Sequence, residues 1–499
     1  MTRIPLLAGT RITVVTAPDD AVVLRPPPPG EAILDIGEAV REALRFPLSG
    51  PSLESLVPHG GRATVVVEPP ALPIPSATHD PRQVAIAAAV DELERLGVPS
   101  ERQTLLVAGG LARRPGKHEV ERLVEPEFAR RFHGRVQVHD AEASDLVGVG
   151  GEGRPLRVHP ALVETDLVVV VSAAETVLHG GPAALLAASD GGTLRAAVEA
   201  DSLLETRGAP GRELAIALEA ALSARVPVIG ASLALHHPRF GGTLGGYPYD
   251  PEALERVAGS PLRPLYGMLP AAVRARVLRS LRSDVGVAAV FGGPPSVAHA
   301  EALLRAIEAR GRTLEGKLDT ICIGIPRLTP HLPRERPNPL LAAHLGLALA
   351  LRLWRDDFPV ADGGTAILLH SFHRHFSHPT QQPYRLFFGA VRFGREQEEL
   401  AEAEAEAARN EQALDAYRGG RACHPLLPFA DWAACTPALS RLGAVLVAGC
   451  RDAVAARQLG FVPTQSLGAA LAMARGRLER EPRVGFLLSP PFFPLRVRA

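Results

Sequence analysis

Lysine is almost missing from this chain. All but two of its 54 basic residues are arginine, the exceptions being Lys117 and Lys317, so chemistry that needs a lysine amine has two positions to use. Cysteine is scarce as well. Cys322, Cys423, Cys435 and Cys450 fall in no C-x-x-C spacing, which excludes a disulfide scaffold and a zinc knuckle and suits a reducing, cytoplasmic setting. No apolar run reaches the roughly 18 residues of a membrane span, so no membrane partner is expected. The start of the chain carries one arginine and a short apolar stretch, too little for a secretory signal. Acids balance bases at 54 each and no basic block occurs, which argues against nucleic acid as a partner. No G-x-G-x-x-G follows the first strand, and G-x-x-x-x-G-K-[ST] and the G-x-S-x-G elbow are absent.

Short β-branched runs alternating with amphipathic helical stretches fill most of the 499 residues. ATVVV, TLLVA, VQVHD and DLVVVVSA are strands; GEAVREALRFPL, RQVAIAAAVDELERLGV and RELAIALEAAL are helices. HEVERLVEPEFARRF is also predicted as one helix, and helices are expected over residues 270–310. A second series begins near Lys317 with LDTICIGIP and continues through GGTAILLHS, AVLVAGC and RVGFLLS. The Glu/Ala-rich stretch 395–420 reads as one solvated helix, and HHPRFGGTLGGYPYDPE as a long loop or lid. The predicted class is α/β, with two domains, residues 1–315 and 316–499, each a mainly parallel sheet flanked by helices. Ligands in such sheets bind beyond the carboxyl ends of the strands, which directs attention to the residues just after each run.

AGGLARRPGKHEV is an anion candidate there: its glycines bring backbone N–H groups close, and Arg113, Arg114 and Lys117 add charge, although a glycine turn with exposed basic residues explains it equally well. His139 and Asp140 end the VQVHD strand, either as an acid/base or metal pair or as a capped turn. His179, past DLVVVVSA, places an imidazole at the mouth of the sheet, as a catalytic group or a metal ligand, with Glu175 a candidate to orient it. HSFHRHFSHP gathers His370, His373, His375 and His378 around Arg374, to bind a metal or an anionic substrate or to form a surface loop.

Together these segments resemble the nickel-pincer-dependent lactate racemase family over most of the chain. The likeness rests on the ATVVVEPPALPIP strand and turn, LLVAGGLARRPGKHEV, VQVHDAEASDLVGVG, DLVVVVSAAETVLHGG, LDTICIGIPRLTPH and the closing GCRDAVAARQLGFVPTQSLGAALAMA. The resemblance implies hydride transfer on a 2-hydroxy acid. It also implies a nickel-pincer nucleotide tethered through a lysine and two histidines that alternate as acid and base. Residue by residue, His179 matches the second catalytic histidine and Arg113 an adjacent arginine, while Ala112 stands in the place of the first histidine. Of the family's D-x-T-R-P-x-P motif Pro73 and Pro75 match, with Pro69 and Leu72 at the aspartate and arginine positions. Ser189 or a neighbour stands where the family has its tethering lysine, and near RPNPLLAAH only Asn338 and His344 are offered in place of a second-domain lysine. Two functions follow: an enzyme, a 2-hydroxy acid racemase, an epimerase or a related one-sided catalyst on a small carboxylate, or a non-catalytic relative binding a small anion or a partner. A homodimer is the ordinary expectation.

Overall fold

The computed structural model describes residues 2–17, 20–58, 60–72, 80–121, 123–150, 156–327, 337–374, 376, 378–392 and 395–498. Two six-stranded sheets organise them, each flanked by helices. The first has the order Val287–Gly293, Val228–Leu235, Leu167–Ala173, Ala63–Val67, Gln103–Val107, Arg135–Val138. All its pairings are parallel except that of Val287–Gly293, an antiparallel edge. The second is parallel throughout, in the order Val462–Thr464, Ala444–Ala448, Val360–Leu369, Leu318–Gly324, Val484–Leu487, Val22–Leu24. Its outermost strand comes from the start of the chain, so the opening residues pair with the second sheet and not with the first.

The central strands Ala63–Val67 and Leu167–Ala173 are fully buried valine-rich runs, as parallel strands covered on both faces must be. Polar residues set the helix starts: the Asp35 carboxylate accepts from Glu38 N–H, and Asp80 accepts from Arg82 N–H with Pro81 at the first helical position. Past the helix Pro81–Arg95, Gly97 takes φ of +92°, which turns the chain into the next strand.

Four local expectations are corrected. The helix expected over HEVERLVEPEFARRF is two short ones, Lys117–Val120 and Pro126–Arg131, because the backbone that precedes Pro126 is extended. The all-helical reading of residues 270–310 missed the strand Val287–Gly293, a β-branched and glycine-rich run between the helices Ala271–Arg279 and Pro295–Arg310. The Glu/Ala stretch is two helices, Gln397–Ala408 and Glu411–Arg418, divided where Asn410 caps the second. Its face is not wholly solvated: Glu404 pairs at 2.7 Å with the largely buried Arg195 of the first unit. The Gly/Tyr-rich segment forms the short strand Arg239–Phe240 against Ser283–Asp284 and leads into the helix Pro251–Gly259.

In each sheet the strand order reverses once, between Ala63–Val67 and Leu167–Ala173 in the first and between Leu318–Gly324 and Val484–Leu487 in the second. Crevices beyond such reversals are where open parallel sheets bind ligands. An apolar cluster that includes Leu111, Val177, Leu194 and Leu203 of the first unit and Leu341, Leu347 and Leu427 of the second joins the two.

Candidate functional site

The first reversal opens into a cavity of about 190 Å³ between the units. Three strand ends of the first sheet supply one wall. Glu68 follows Ala63–Val67, the turn Ala108–Ala112 follows Gln103–Val107, and His179 stands six residues past Leu167–Ala173. Two glycines make the last turn possible. Gly180 has φ of +93°, and a Cβ there would lie 2.3 Å from the Ala173 carbonyl oxygen; at Gly181, φ +54°, it would lie 2.3 Å from His299 Cβ. The tight turn lets Gly180 N–H donate to Glu68 Oε2 at 2.8 Å and Gly181 N–H to Ser172 Oγ at 2.8 Å.

The half-buried His179 has its Nδ1 2.7 Å from Thr176 Oγ1. The Thr176 carbonyl in turn accepts from His299 Nε2 at 3.0 Å. Glu175, expected to orient His179, has another task. Its carboxylate accepts from Ala71 N–H at 2.6 Å and Leu72 N–H at 3.3 Å and faces Arg82 at 3.5 Å, fixing the turn after the first strand. Burial, with the nearby Glu175 charge, raises the Glu68 pKa to about 8 against the pull of Gly180 N–H, so Glu68 is largely protonated at neutral pH.

The second unit closes the cavity with a helical segment wound in three ways: α over Pro339–Ala343, π over His344–Leu349 and 3-10 over Ala350–Arg352. Such changes of winding are frequent at functional sites. Here they bring His344, Ala348, Leu349 and Arg352 to one wall. His344 Nδ1 lies 3.3 Å from Asp431 Oδ1, and the Tyr384 hydroxyl donates to Asp431 Oδ2 at 2.7 Å. Burial lowers the His344 pKa to about 4 and leaves the ring neutral. Arg352 is in no ion pair among the described residues. Its guanidinium donates to the carbonyls of Ala434 (3.2 Å), Val198 (3.3 Å) and Ala200, and Nε has no partner. Burial lowers its pKa to about 10, so it remains a cation. Most of the remaining lining is alanine and leucine.

The other candidates from the sequence lie elsewhere. Arg113 bonds both oxygens of Glu119 at 2.6 Å and the Gly420 carbonyl at 3.2 Å. Arg114 bonds Asp140 at 3.1 Å and the Arg418 carbonyl at 2.6 Å. Both fasten the glycine turn to the second unit, and neither lines the cavity; nor do Lys117, which is exposed, and Asp140. His139 is buried with Nε2 2.8 Å from the Ser189 carbonyl, and burial lowers its pKa to about 4. Ser189 is fully buried and also absent from the lining. His370 and His373 line a second cavity, beyond the carboxyl ends of the second sheet, and do not meet His179. His378 caps the turn at Thr380. His375, Pro73 and Pro75 lie outside the described residues.

Glu68, Arg352, Asp431 and Tyr384 were not singled out in the sequence. The available signal was a lone charge in an apolar run: the acid ending ATVVVE, the arginine in LALALRLW and the aspartate in LPFADWA.

Residues 9–180 match the family described as Lactate racemase N-terminal domain. This part of the chain is homologous to that domain. The lactate racemase apoprotein from Thermoanaerobacterium thermosaccharolyticum shares the fold, with a TM-score of 0.59 and 14% identity over 100% of both chains. A crystal structure of a protein from Thermotoga maritima aligns with a TM-score of 0.50 and 11% identity, covering 94% of this chain and 100% of that one. No curated protein matches the sequence. The match ends at the turn that carries His179, so the matched segment supplies the first-sheet wall of the cavity up to that residue. No described helix is long and apolar enough to cross a membrane.

Proposed function

We propose that this lactate racemase-like protein takes a small carboxylate, of the size of a 2-hydroxy acid, into the cavity between its units and that His179 exchanges a proton with it. One observation carries the reading: a buried guanidinium without a carboxylate partner among the described residues, Arg352, lines a largely apolar cavity that also holds His179, the protonated Glu68 and the His344–Asp431 pair. A carboxylate supplies the missing counter-charge to Arg352, with a charge-assisted hydrogen bond in a low-dielectric setting. The volume of about 190 Å³ suits a ligand of a few heavy atoms. His179, steadied by Thr176, acts on one face as acid or base, and the Glu68 carboxyl is a proton donor beside it.

The nickel-pincer nucleotide implied by the family resemblance does not fit these residues. No lysine or cysteine is among the described lining residues, Ser189 is fully buried and does not line the cavity, Lys117 is exposed and Lys317 is paired with Asp357 at 2.7 Å. Among the described residues no group of three or more His, Cys, Asp and Glu is placed to hold a metal ion. We therefore derive no step through that cofactor. Elemental analysis and intact mass of the purified full-length protein test this; stoichiometric nickel or an added nucleotide mass overturns it.

A second reading, a binding protein without turnover, is favoured by Ala112, which forms part of the wall where the resemblance places the first catalytic histidine. The two readings separate in one experiment. L- and D-lactate are titrated into the full-length protein by calorimetry, and each enantiomer is then incubated in D2O and followed by chiral chromatography and proton NMR. Saturable binding with enantiomer interconversion or α-proton exchange, lost in His179→Gln, supports the enzyme. Binding without either selects the binding protein, and no binding of either enantiomer sinks the carboxylate assignment.

A further inference from the structure

The turn that carries His179 is held from outside the segment that matches the lactate racemase domain. Behind it runs the helix Pro295–Arg310, whose start is fixed by the Glu219 carboxylate: it accepts from Ser296 N–H at 3.0 Å and from Ser296 Oγ at 3.1 Å. His299 and Arg310 stand eleven residues apart, about three turns, and so share one face of this helix. That face meets residues 174–181. Arg310 Nη2 donates to the Ala174 carbonyl at 3.3 Å, where the chain leaves the strand Leu167–Ala173. His299 Nε2 lies 3.0 Å from the Thr176 carbonyl. The same carbonyl accepts from His179 N–H at 3.3 Å, while the Thr176 hydroxyl accepts from Leu178 N–H at 3.1 Å and contacts His179 Nδ1 at 2.7 Å. The two glycines after His179 lie against the imidazole of His299. A Cβ at Gly180 would come 2.8 Å from its Cε1, and one at Gly181 2.6 Å from its Cγ.

His299 is an expensive residue for this place if it only fills space. It is 4% exposed, a carbonyl faces Nε2 and so fixes the ring proton there, and Nδ1 has no partner among the described residues. Burial lowers its pKa to about 4, which keeps the ring neutral. An apolar side chain of similar bulk would pack here without leaving a buried nitrogen unpaired. What the imidazole adds over such a side chain is its bond to Thr176, and the fully buried Thr176 is the residue that touches both the backbone and the ring of His179.

We infer that His299 is a positioning residue for His179, acting through Thr176, with Arg310 fixing the start of the same segment. The inference rests on the reading of His179 as the group that exchanges a proton in the cavity between the units. Neither His299 nor Arg310 is among the residues that line that cavity, so both act on its chemistry through the 174–181 segment alone. Proton transfer demands such support, because a misplacement of about 1 Å can lower a rate about a hundredfold.

Full-length protein labelled with 15N-histidine and followed by 1H–15N NMR of the imidazole rings tests the assignment, the His179 signals being those missing from His179→Gln. His299→Met removes the donor and keeps the bulk, whereas His299→Gln keeps an N–H donor. The expected result is that the His179 ring signals move or split in His299→Met and return to their wild-type positions in His299→Gln. With lactate as substrate, kcat falls about tenfold or more in His299→Met while KM stays within about twofold, and His299→Gln recovers most of the loss. Unchanged His179 signals in His299→Met, or no return in His299→Gln, overturn the inference. Should His299→Met not fold, His299→Asn, polar but too short for the carbonyl, takes its place; loss of the fold in both overturns the inference by making His299 a support of the core alone. If lactate neither binds nor turns over in the wild type, the carboxylate assignment fails by itself, and the ring signals still decide the role of His299.

Discussion

The two cavities occupy corresponding places beyond the carboxyl ends of two parallel sheets, yet their chemistry is opposite. The cavity between the units is small and largely apolar, with a single guanidinium, Arg352, a protonated Glu68, the Asp431 carboxylate and two imidazoles. The cavity of the second sheet is about four times larger by volume and carries four arginines and no described acid. A shared backbone position therefore says where ligands collect, and the side chains at the strand ends say which ligands. In the first, the buried Arg352 guanidinium stands without a carboxylate partner among the described residues; in the second, exposed and buried arginines stand side by side.

The largest test of that contrast is a pair of arginine replacements. Arg352→Met removes a cation and strands the carbonyls of Val198, Ala200 and Ala434, so unfolding free energy from denaturant titration falls by about 3–5 kcal/mol and carboxylate binding is lost. Arg451→Gln, at an exposed residue, changes stability by less than about 0.5 kcal/mol. Equal effects of the two would erase the distinction between a built-in and a presented arginine.

Glu68 gives the next effect. Its pKa is raised, so the folded state holds a proton that the unfolded chain releases, and this stabilisation is complete at low pH and lost as pH rises towards about 8. The stability of the wild type relative to Glu68→Gln should fall between pH 5 and 8 by on the order of 3 kcal/mol. A difference that is flat or rising with pH would put an ionised carboxylate in the cavity. Salt supplies a smaller one: raising ionic strength from about 0.05 to 0.5 M should weaken lactate in the cavity between the units only slightly, because buried charges are screened less. The smallest effect lies outside both cavities. Asn410→Ala removes the cap bonded to Ala413 N–H at 3.0 Å and should cost about 1 kcal/mol in thermal melting analysis, with lactate binding unchanged.

Much of the architecture was legible in the sequence. The valine runs at 63–67 and 167–173 form strands wherever they are fully covered, and the residues after them, His179 included, had to stand at the sheet's edge. The single long helices read into 118–132 and 395–420 were less secure, because the breaks at Pro126 and Asn410 depend on one residue against a continuous helical pattern. Arg113, Arg114 and His139 looked like ligand-binding groups because composition shows a charge and not its partner; Glu119, Asp140 and the carbonyls of Gly420 and Ser189 engage them. Arg352 and Glu68 were passed over for the reverse reason, since a lone charge in an apolar run carries no local sign of what it faces.

The scarcity of lysine is fixed by the sequence alone, and with it the restriction of amine chemistry to Lys117 and Lys317. So are the α/β class and the homology of residues 9–180 to the lactate racemase N-terminal domain. Only the tertiary structure decided that both lysines stand away from the cavity between the units, that His179 shares that cavity with Arg352 some 170 residues later, and that His370 and His373 belong to a different one. The physical reason is range. Strand and helix patterns are set by neighbours along the chain, whereas pKa, charge pairing and cavity lining are set by neighbours in space, which the packing of one unit on the other brings together.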